Sequence, residues 1–507
     1  MGRALMLQGT GSHAGKSLLT AALCRIFRQE GLRVAPFKAQ NMSLNSFVTA
    51  DGREIARSQV VQARAAGIEP SADMNPVLLK PKADGVSEVI LLGRSIGDLG
   101  WRVYRSERRE QVLEVINLAL KRLLASYDVV VMEGAGSPAE VNLMQGDLSN
   151  MKAADLAGAP VLLVGDIDRG GVFASLLGTW EILPDRHRRR LAGVILNKFR
   201  GDAGLLDPAL EWLKERTGLP TLGVIPYLPN PGLDEEDSVS LEERGSARPA
   251  GGADRLEIAV IRFPRISNFT DLEPLSREPS VRLHYVTTPA ELANPDAVIL
   301  PGSKNTVDDL TALYRSGLSD QIHRLAARGV PVVGICGGYQ MLGRDLYDPL
   351  HCEGSGDPPP GLGLLPVATT FHPEKQTRQV AARWAAPAAA APWASVLPLS
   401  DLPAYEIHRG EAAYLPGAVK AFRLPDGRWE GAVAADGLVW GAQLHGIFDE
   451  PGFRRAWLNL LRARRGMPLL PLTGEESESS RQDQAFDRLA RYVREHLDFD
   501  AVYRLVR

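Results

Sequence analysis

Two short stretches of the 507-residue chain concentrate residue types that could do chemistry. The first is Gly9-Thr10-Gly11-Ser12-His13-Ala14-Gly15-Lys16-Ser17, preceded by the apolar run Ala4-Leu5-Met6-Leu7 and followed by the helical run Leu18 to Leu23. A glycine loop between strand and helix turns backbone N–H groups toward an anion. The helix N-terminus adds partial positive charge, a lysine reaches the outer phosphates, and a hydroxyl can ligate magnesium. Gly11, Gly15, Lys16 and Ser17 are therefore the expected nucleotide contacts, with Ser17 also a metal ligand. The strict pattern places a glycine five positions before Gly15, where this chain has Thr10; Gly9 lies one residue early. An ordinary glycine turn capping a helix is the competing reading, and the Lys-Ser pair in its strand-to-helix context argues against it.

The second stretch is Val332-Val333-Gly334-Ile335 followed by Cys336-Gly337-Gly338-Tyr339-Gln340. A cysteine on a sharp turn between strand and helix is the thiol counterpart of a nucleophile elbow. The turn exposes the sulfur, and the helix N-terminus favours thiolate. The Gly337 N–H can face a developing oxyanion, and the Pro301-Gly302-Ser303 loop, at another strand end, can supply a second donor. A buried structural cysteine is the alternative. The thiol needs a base, and His445 in Gln443-Leu444-His445-Gly446 ranks modestly ahead of His408 in Glu406-Ile407-His408-Arg409. His284 falls within a strand and is expected in the core, as is Cys24 on an apolar helical face. Cys352 shows no evident role.

These residues need elements to position them. Apolar runs at Val34–Phe37, Val129–Met132, Val161–Val164 and Val194–Leu196 lack alternation and are separated by helical segments, which predicts a parallel sheet buried on both faces. In such a sheet, ligands sit beyond the carboxyl ends of the strands. Lys38, Glu133, Asp166, Asp168 and Asn197 all fall there. Cations for phosphates, carboxylates for a metal and an amide for a base edge are thus all supplied. Lys38 and Asn197 join the expected ATP contacts, with Asn197 reading adenine. Glu133 joins Ser17 as a magnesium ligand, as does Asp51 in the turn Thr49-Ala50-Asp51-Gly52, although a turn-capping role for Asp51 is comparable. A second alternating region starts at Leu256–Ile261 and continues through Val281–Val286 and Ala297–Leu300.

The length implies two or three domains. Residues 1–229 form a P-loop domain, 230–254 a linker with the acidic run Asp234-Glu235-Glu236-Asp237, and 255–465 the cysteine-elbow domain. Residues 466–507 form a polar segment ending in a docking helix, with Phe486, Leu489, Tyr492, Val493 and Leu497 at helical spacing. Net charge is -3, without a basic block, so no nucleic-acid or membrane partner is expected. Three cysteines provide no disulfide framework, and the N-terminal run enters a strand directly, so a reducing cytoplasmic location is expected.

Several stretches then carry a family resemblance. The second region resembles class I glutamine amidotransferases of flavodoxin-like fold, and the offset phosphate loop resembles that of dethiobiotin synthetase and its relatives. The two in this order resemble the cobyric acid synthase family of cobalamin biosynthesis. The resemblance covers nearly the whole chain. It rests on Lys38-Ala39-Gln40-Asn41-Met42-Ser43-Leu44-Asn45-Ser46, Met74–Pro81, Glu133–Glu140, Gly165–Phe173, Leu300–Thr306 and Gly334–Gln340. It implies ATP-driven, magnesium-dependent amidation of the b, d, e and g carboxylates of adenosylcobyrinic acid a,c-diamide through acyl phosphates. Ammonia would come from glutamine by way of Cys336 and His445, with Gly337, Gly302 and Ser303 at the oxyanion. Gln40, Asn41, Ser43 and Asn45 are expected at the corrinoid on position alone. Many class I members carry a glutamate two residues after the histidine; here Ile447 stands there. Either a dyad suffices or another carboxylate, Glu406 or Asp449, orients the ring. The alternatives are a cobyrinic acid a,c-diamide synthase, a partitioning ATPase, whose usual second lysine is replaced by Thr10, and a pseudoenzyme that only binds.

Overall fold

The computed structural model describes residues 2–229, 231–233, 254–354, 356–397, 401–473 and 477–507. The acidic run Asp234–Asp237 and the Gly251-Gly252 pair read as linker lie outside the described residues. The chain forms two compact units.

The first unit comprises residues 2–43, 53–233 and 480–507. Its centre is a parallel sheet of β1 (Arg3–Gly9), β2 (Val34–Phe37), β3 (Val129–Glu133), β4 (Val161–Asp166), β5 (Leu191–Phe199) and β6 (Thr221–Pro226), in the order β6-β5-β4-β1-β3-β2. The non-alternating runs are explained by burial on both faces: Leu5, Leu7, Val131, Leu162 and Val164 are wholly buried. Helix α1 (Lys16–Gln29) lays Leu19, Leu23, Ile26 and Phe27 against this core. Cys24 lies there too, and burial pushes its thiol far up, so it is inert. The C-terminal helix Glu478–Glu495 contributes Phe486, Leu489 and Val493 to the same core, beside Leu222 and Ile225. Arg25 fastens it through Asp483 (3.1 Å) and Asp487 (2.7 Å).

A smaller sheet joins Gln40–Met42, Val77–Ala83, Val86–Leu91 and Arg94–Gly100. The polar residues Gln40–Met42 thus form a strand of this sheet. Its amide side chain at Asn41 turns inward and donates to Ser58 (3.1 Å) and Gln59 (3.0 Å), so a polar residue occupies a core position without an unmet hydrogen bond.

The second unit comprises residues 44–52 and 254–479. Strands β7 (Leu256–Ile261), β8 (Val281–Val286), β9 (Ala297–Leu300), β10 (Val332–Ile335) and β11 (Val439–Ala442) form a parallel sheet in the order β8-β7-β9-β10-β11, which is the flavodoxin-like order. Antiparallel strands Trp429–Val433, Val419–Arg423, Val367–Trp384 and Leu402–Tyr414 extend it. His284 is a correction to the sequence reading. It sits on edge strand β8, its side chain 29% exposed and 3.7 Å from Glu257, because an edge strand leaves one side open.

Candidate active sites

The phosphate loop leaves β1 at the centre of its sheet. His13 (φ 61°) and Gly15 (φ 91°) take left-handed backbone, which turns the loop sharply into α1. The early glycine now has a reason. A Cβ at Gly9 would lie 2.9 Å from the Lys16 Nζ and 2.9 Å from the Gly11 carbonyl, so a side chain there would push the lysine out. Lys16 folds back, its ammonium donating to Gly11 O (2.9 Å) and Gly136 O (3.1 Å).

Strand β3 ends on Glu133, a buried carboxylate on which three side chains converge. Ser17 Oγ donates to Oε1 (2.8 Å), Lys38 Nζ to Oε1 (2.9 Å), and Gln62 Nε2 to Oε2 (2.6 Å). The Lys16-Ser17 pair, Lys38 and Glu133, far apart in sequence, thus share one end of the sheet. Gln62, from helix Arg57–Ala66, was not singled out in the sequence because it lies in an unremarkable helical stretch.

A phosphate loop implies magnesium, and the residues fit it. Ser17 and Glu133 present two hard oxygens within hydrogen-bond reach of each other. Gln8 Oε1, one residue before the loop, is buried with no hydrogen-bond partner. Among the described residues no group of three His, Cys, Asp or Glu side chains is gathered for a metal. Magnesium needs none, because phosphate oxygens and water complete its octahedron.

Other expected residues fall as follows. Asn197 lies under the loop, its Nδ2 donating to Ala14 O (2.9 Å). Lys198 Nζ reaches His13 O (2.7 Å) and Asp166 Oδ2 (2.9 Å), and Arg200 pairs with Asp168 (2.8 Å). Asp51 packs with the second unit, and Thr49 Oγ1 donates to its Oδ1 (2.5 Å). Of the residues expected at the corrinoid, Gln40 lines a cavity of about 330 Å³. Asn41 is engaged with Ser58 and Gln59, Ser43 is buried, and Asn45 accepts from the Phe269 N–H (3.1 Å).

In the second unit, Cys336 sits between β10 and helix α2 (Gly337–Leu342) with φ 50° and ψ −108°; contrary to the expectation of an exposed sulfur, the residue is buried, only 6% exposed. A non-glycine residue there stores roughly 1–3 kcal/mol of backbone strain, maintained by the packing around it. Gly338 makes the turn possible: a Cβ would lie 1.9 Å from Leu300 O. A Cβ at Gly337 would lie 2.9 Å from Ser303 N, and one at Gly302 would lie 3.5 Å from the His445 ring. Gly337 thus packs against Ser303, and Gly302 against the His445 ring.

His445 ends a two-residue strand and is almost wholly buried. Its Nδ1 lies 2.6 Å from Asp271 Oδ2, and Asp271 Oδ1 also accepts from Gly446 N (3.0 Å). Tyr405 stacks on the ring at 5.1 Å. Burial, the largest influence, favours the neutral ring, but the Asp271 carboxylate and the hydrogen-bonded Cys336 outweigh it and push the ring up to about 10. The imidazole is thus held ready to carry a proton beside the sulfur. His408 turns elsewhere, to Gly410 O (2.8 Å) and Glu406 (3.6 Å), and Glu406 is occupied by Arg378 (2.6 Å) and Arg428 (3.1 Å). The carboxylate at His445 is therefore Asp271, not Glu406 or Asp449. No local signal marks Asp271; it lies 174 residues before its partner in an unpatterned turn.

Comparison with known proteins follows the same division. Residues 5–237 match a CobQ/CobB/MinD/ParA nucleotide binding domain and residues 257–453 a CobB/CobQ-like glutamine amidotransferase domain. The chain is 49% identical to a cobyric acid synthase of Pelotomaculum thermopropionicum, over 100% of this chain and 97% of that one. It is 49% identical to a cobyric acid synthase of Moorella thermoacetica, over 98% and 96% of the two chains. Another, of Sorangium cellulosum, is 49% identical over 99% and 98%. Among the described residues no helix is long and apolar enough to cross a membrane.

Proposed function

The chain belongs to the cobyric acid synthase family, glutamine-dependent and ATP-using amide ligases of cobalamin biosynthesis, and from that premise we propose how its own residues divide the work. A carboxylate resists ammonia because oxide is a poor leaving group. In the first unit the acceptor carboxylate attacks the γ-phosphorus of ATP, the bond to ADP breaks, and an acyl phosphate forms. Ammonia then adds to the acyl carbon and inorganic phosphate departs. Lys16 and Lys38 oppose the charge on the transferring group, and loop amides hold the phosphates. Magnesium, held by Ser17 and Glu133, would supply charge neutralisation at those phosphates. Asn197 shapes the loop from below. The b, d, e and g carboxylates of adenosylcobyrinic acid a,c-diamide are the acceptors.

In the second unit Cys336 attacks the glutamine carboxamide. Backbone N–H groups of Gly337 and the Gly302-Ser303 loop stabilise the oxyanion, and His445 protonates the departing ammonia. Asp271 keeps the ring in orientation and stabilises its protonated form. Water then hydrolyses the glutamyl thioester. Residues 1–229, apart from 44–52, which group with the second unit, and residues 255–465 are the two working domains of this scheme.

The observation that carries this reading is the Cys336–His445–Asp271 arrangement in the same chain as a phosphate loop whose lysine, serine and strand-end glutamate converge. The test is the change in corrinoid mass after incubation with ATP, magnesium and glutamine. Four amidations lower the mass by about one unit each relative to the acid, since –OH is replaced by –NH₂. Conversion of cobyrinic acid to its a,c-diamide instead would assign the chain to the other specificity.

A further inference from the structure

Beside the phosphate loop the first unit opens a cavity of about 330 Å³. One wall is the loop itself, at Ser12, and Gly136, whose carbonyl receives the Lys16 ammonium (3.1 Å). The facing wall carries two arginines where one helix ends and the next begins, Arg105 in the last turn of Trp101–Ser106 and Arg109 as the first residue of Arg109–Ser126. Arg105 lies over the Trp101 ring at 4.8 Å and spends one nitrogen on Leu143 O (3.1 Å). Arg109 spends one nitrogen on Gln145 O (3.2 Å), while its Nε is buried with no hydrogen-bond partner. A guanidinium anchored by one nitrogen still has further N–H donors with which to receive a planar anion.

The rim differs from the walls. Trp101 is 40% exposed, Met42 50% and Leu143 36%, three large apolar side chains around one opening. Exposed apolar groups clustered at a mouth mark a surface that a ligand covers. Tyr104 donates from its hydroxyl to Gln40 beneath Trp101, which fixes the platform in place. The cavity is too small for a whole macrocycle but admits one carboxylated edge, with the flat ring lying across the apolar rim.

Resting on the function proposed above, we propose that this cavity is the acceptor site: Arg105 and Arg109 hold a carboxylate or amide of the corrinoid that is not reacting, Trp101 carries the ring face, and the opposite edge presents its carboxylate at Ser12 and Gly136. The arginines are then specificity determinants, since they fix which side arm reaches the phosphate loop. A polyacidic macrocycle has several arms, and two guanidiniums at a fixed distance from the loop select among its rotations.

The test is equilibrium binding of cobyrinic acid a,c-diamide to the full chain, without ATP or glutamine, read from corrinoid absorbance after ultrafiltration. Arg109→Gln should weaken binding roughly tenfold and the Arg105→Gln/Arg109→Gln pair further, with partial recovery in Arg109→Lys, which keeps charge but not the fork. Trp101→Ala, an exposed position that folding tolerates, should weaken it several-fold. ATP binding by each variant controls for folding. If the double variant and Trp101→Ala both bind as wild type does, the cavity is not the acceptor site. If wild type itself fails to bind this corrinoid, the corrinoid reading fails first and this assignment with it, so the two failures are told apart by the wild-type arm.

Discussion

The two reactive regions are built on opposite plans. In the phosphate site, five of the working groups come from one loop and the strand end beside it, and the charges are already compensated: Lys38 rests on Glu133 and Lys16 on two carbonyls. In the sulfur site, a strained cysteine, a histidine 109 residues later and an aspartate 65 residues earlier meet in a buried setting. The first handles charge brought by its ligand, so it waits neutralised. The second must create charge on its own sulfur, so it keeps an acid–base pair under tension. The first takes its glycines, lysine and serine from one loop, yet each site is closed by a carboxylate remote in sequence, Glu133 in one and Asp271 in the other.

The comparison is broken most directly by separating the two sites. Cys336→Ala should remove glutamine-dependent amidation by roughly 10³-fold or more while amidation with ammonium salt persists. Lys16→Ala should remove both by a similar factor, because activation of the carboxylate precedes either nitrogen source. Measuring product amide with each donor checks the pair; loss of both donors in a folded Cys336→Ala variant would mean that the sites are not separable.

A subtler cut tests whether the sulfur site needs its remote aspartate. Asp271→Asn should lower glutaminase kcat roughly 10²- to 10⁴-fold, as expected when a histidine loses its orienting carboxylate. The pH profile gives the sign. In the wild-type protein the ring is raised to about 10, so its protonated form is lost only as pH climbs through that value. Without the carboxylate that raises it, the alkaline limb should move to lower pH. A profile unchanged in position would leave Asp271 a merely structural partner.

Smaller effects probe the framework behind each site. Asp309 accepts from Ser303 Oγ (2.5 Å) and Arg265 N (3.2 Å), and burial, the main cause, holds its carboxyl at about 7. A carboxyl raised on folding retains its proton longer than the unfolded chain does, so stability should fall as pH rises from about 4 through about 7 and level off beyond. The expected loss is on the order of 2 kcal/mol, visible in denaturant titrations and reduced in Asp309→Asn. The smallest effect is expected from Asn45→Ala, which removes the acceptor for Phe269 N at the start of the turn that bears Asp271. A loss of about 1 kcal/mol in stability and a modest drop in glutaminase rate would show that this segment supports the base.

The strands were legible because burial on both faces writes itself into composition: Val129–Met132 and Val161–Val164 are short, non-alternating and rich in β-branched residues. The elbow and phosphate loop were legible because each needs several residue types within a few positions. Gln40–Met42 was not legible as a strand because Asn41 is satisfied by partners on a helix that the sequence does not place nearby. His284 was misjudged because a strand pattern does not say which strand lies at the edge.

By itself, then, the amino-acid order determined the two sheets, the nucleophile and the loop that meets phosphate, since each depends on contacts between near neighbours or on periodic burial. Only the folded chain decided that Asp271 serves His445, that Gln62 joins Glu133, and that Arg105 and Arg109 face the phosphate loop across a cavity. Those pairings are made across long separations, where hydrogen-bond geometry and desolvation select partners that no local pattern records.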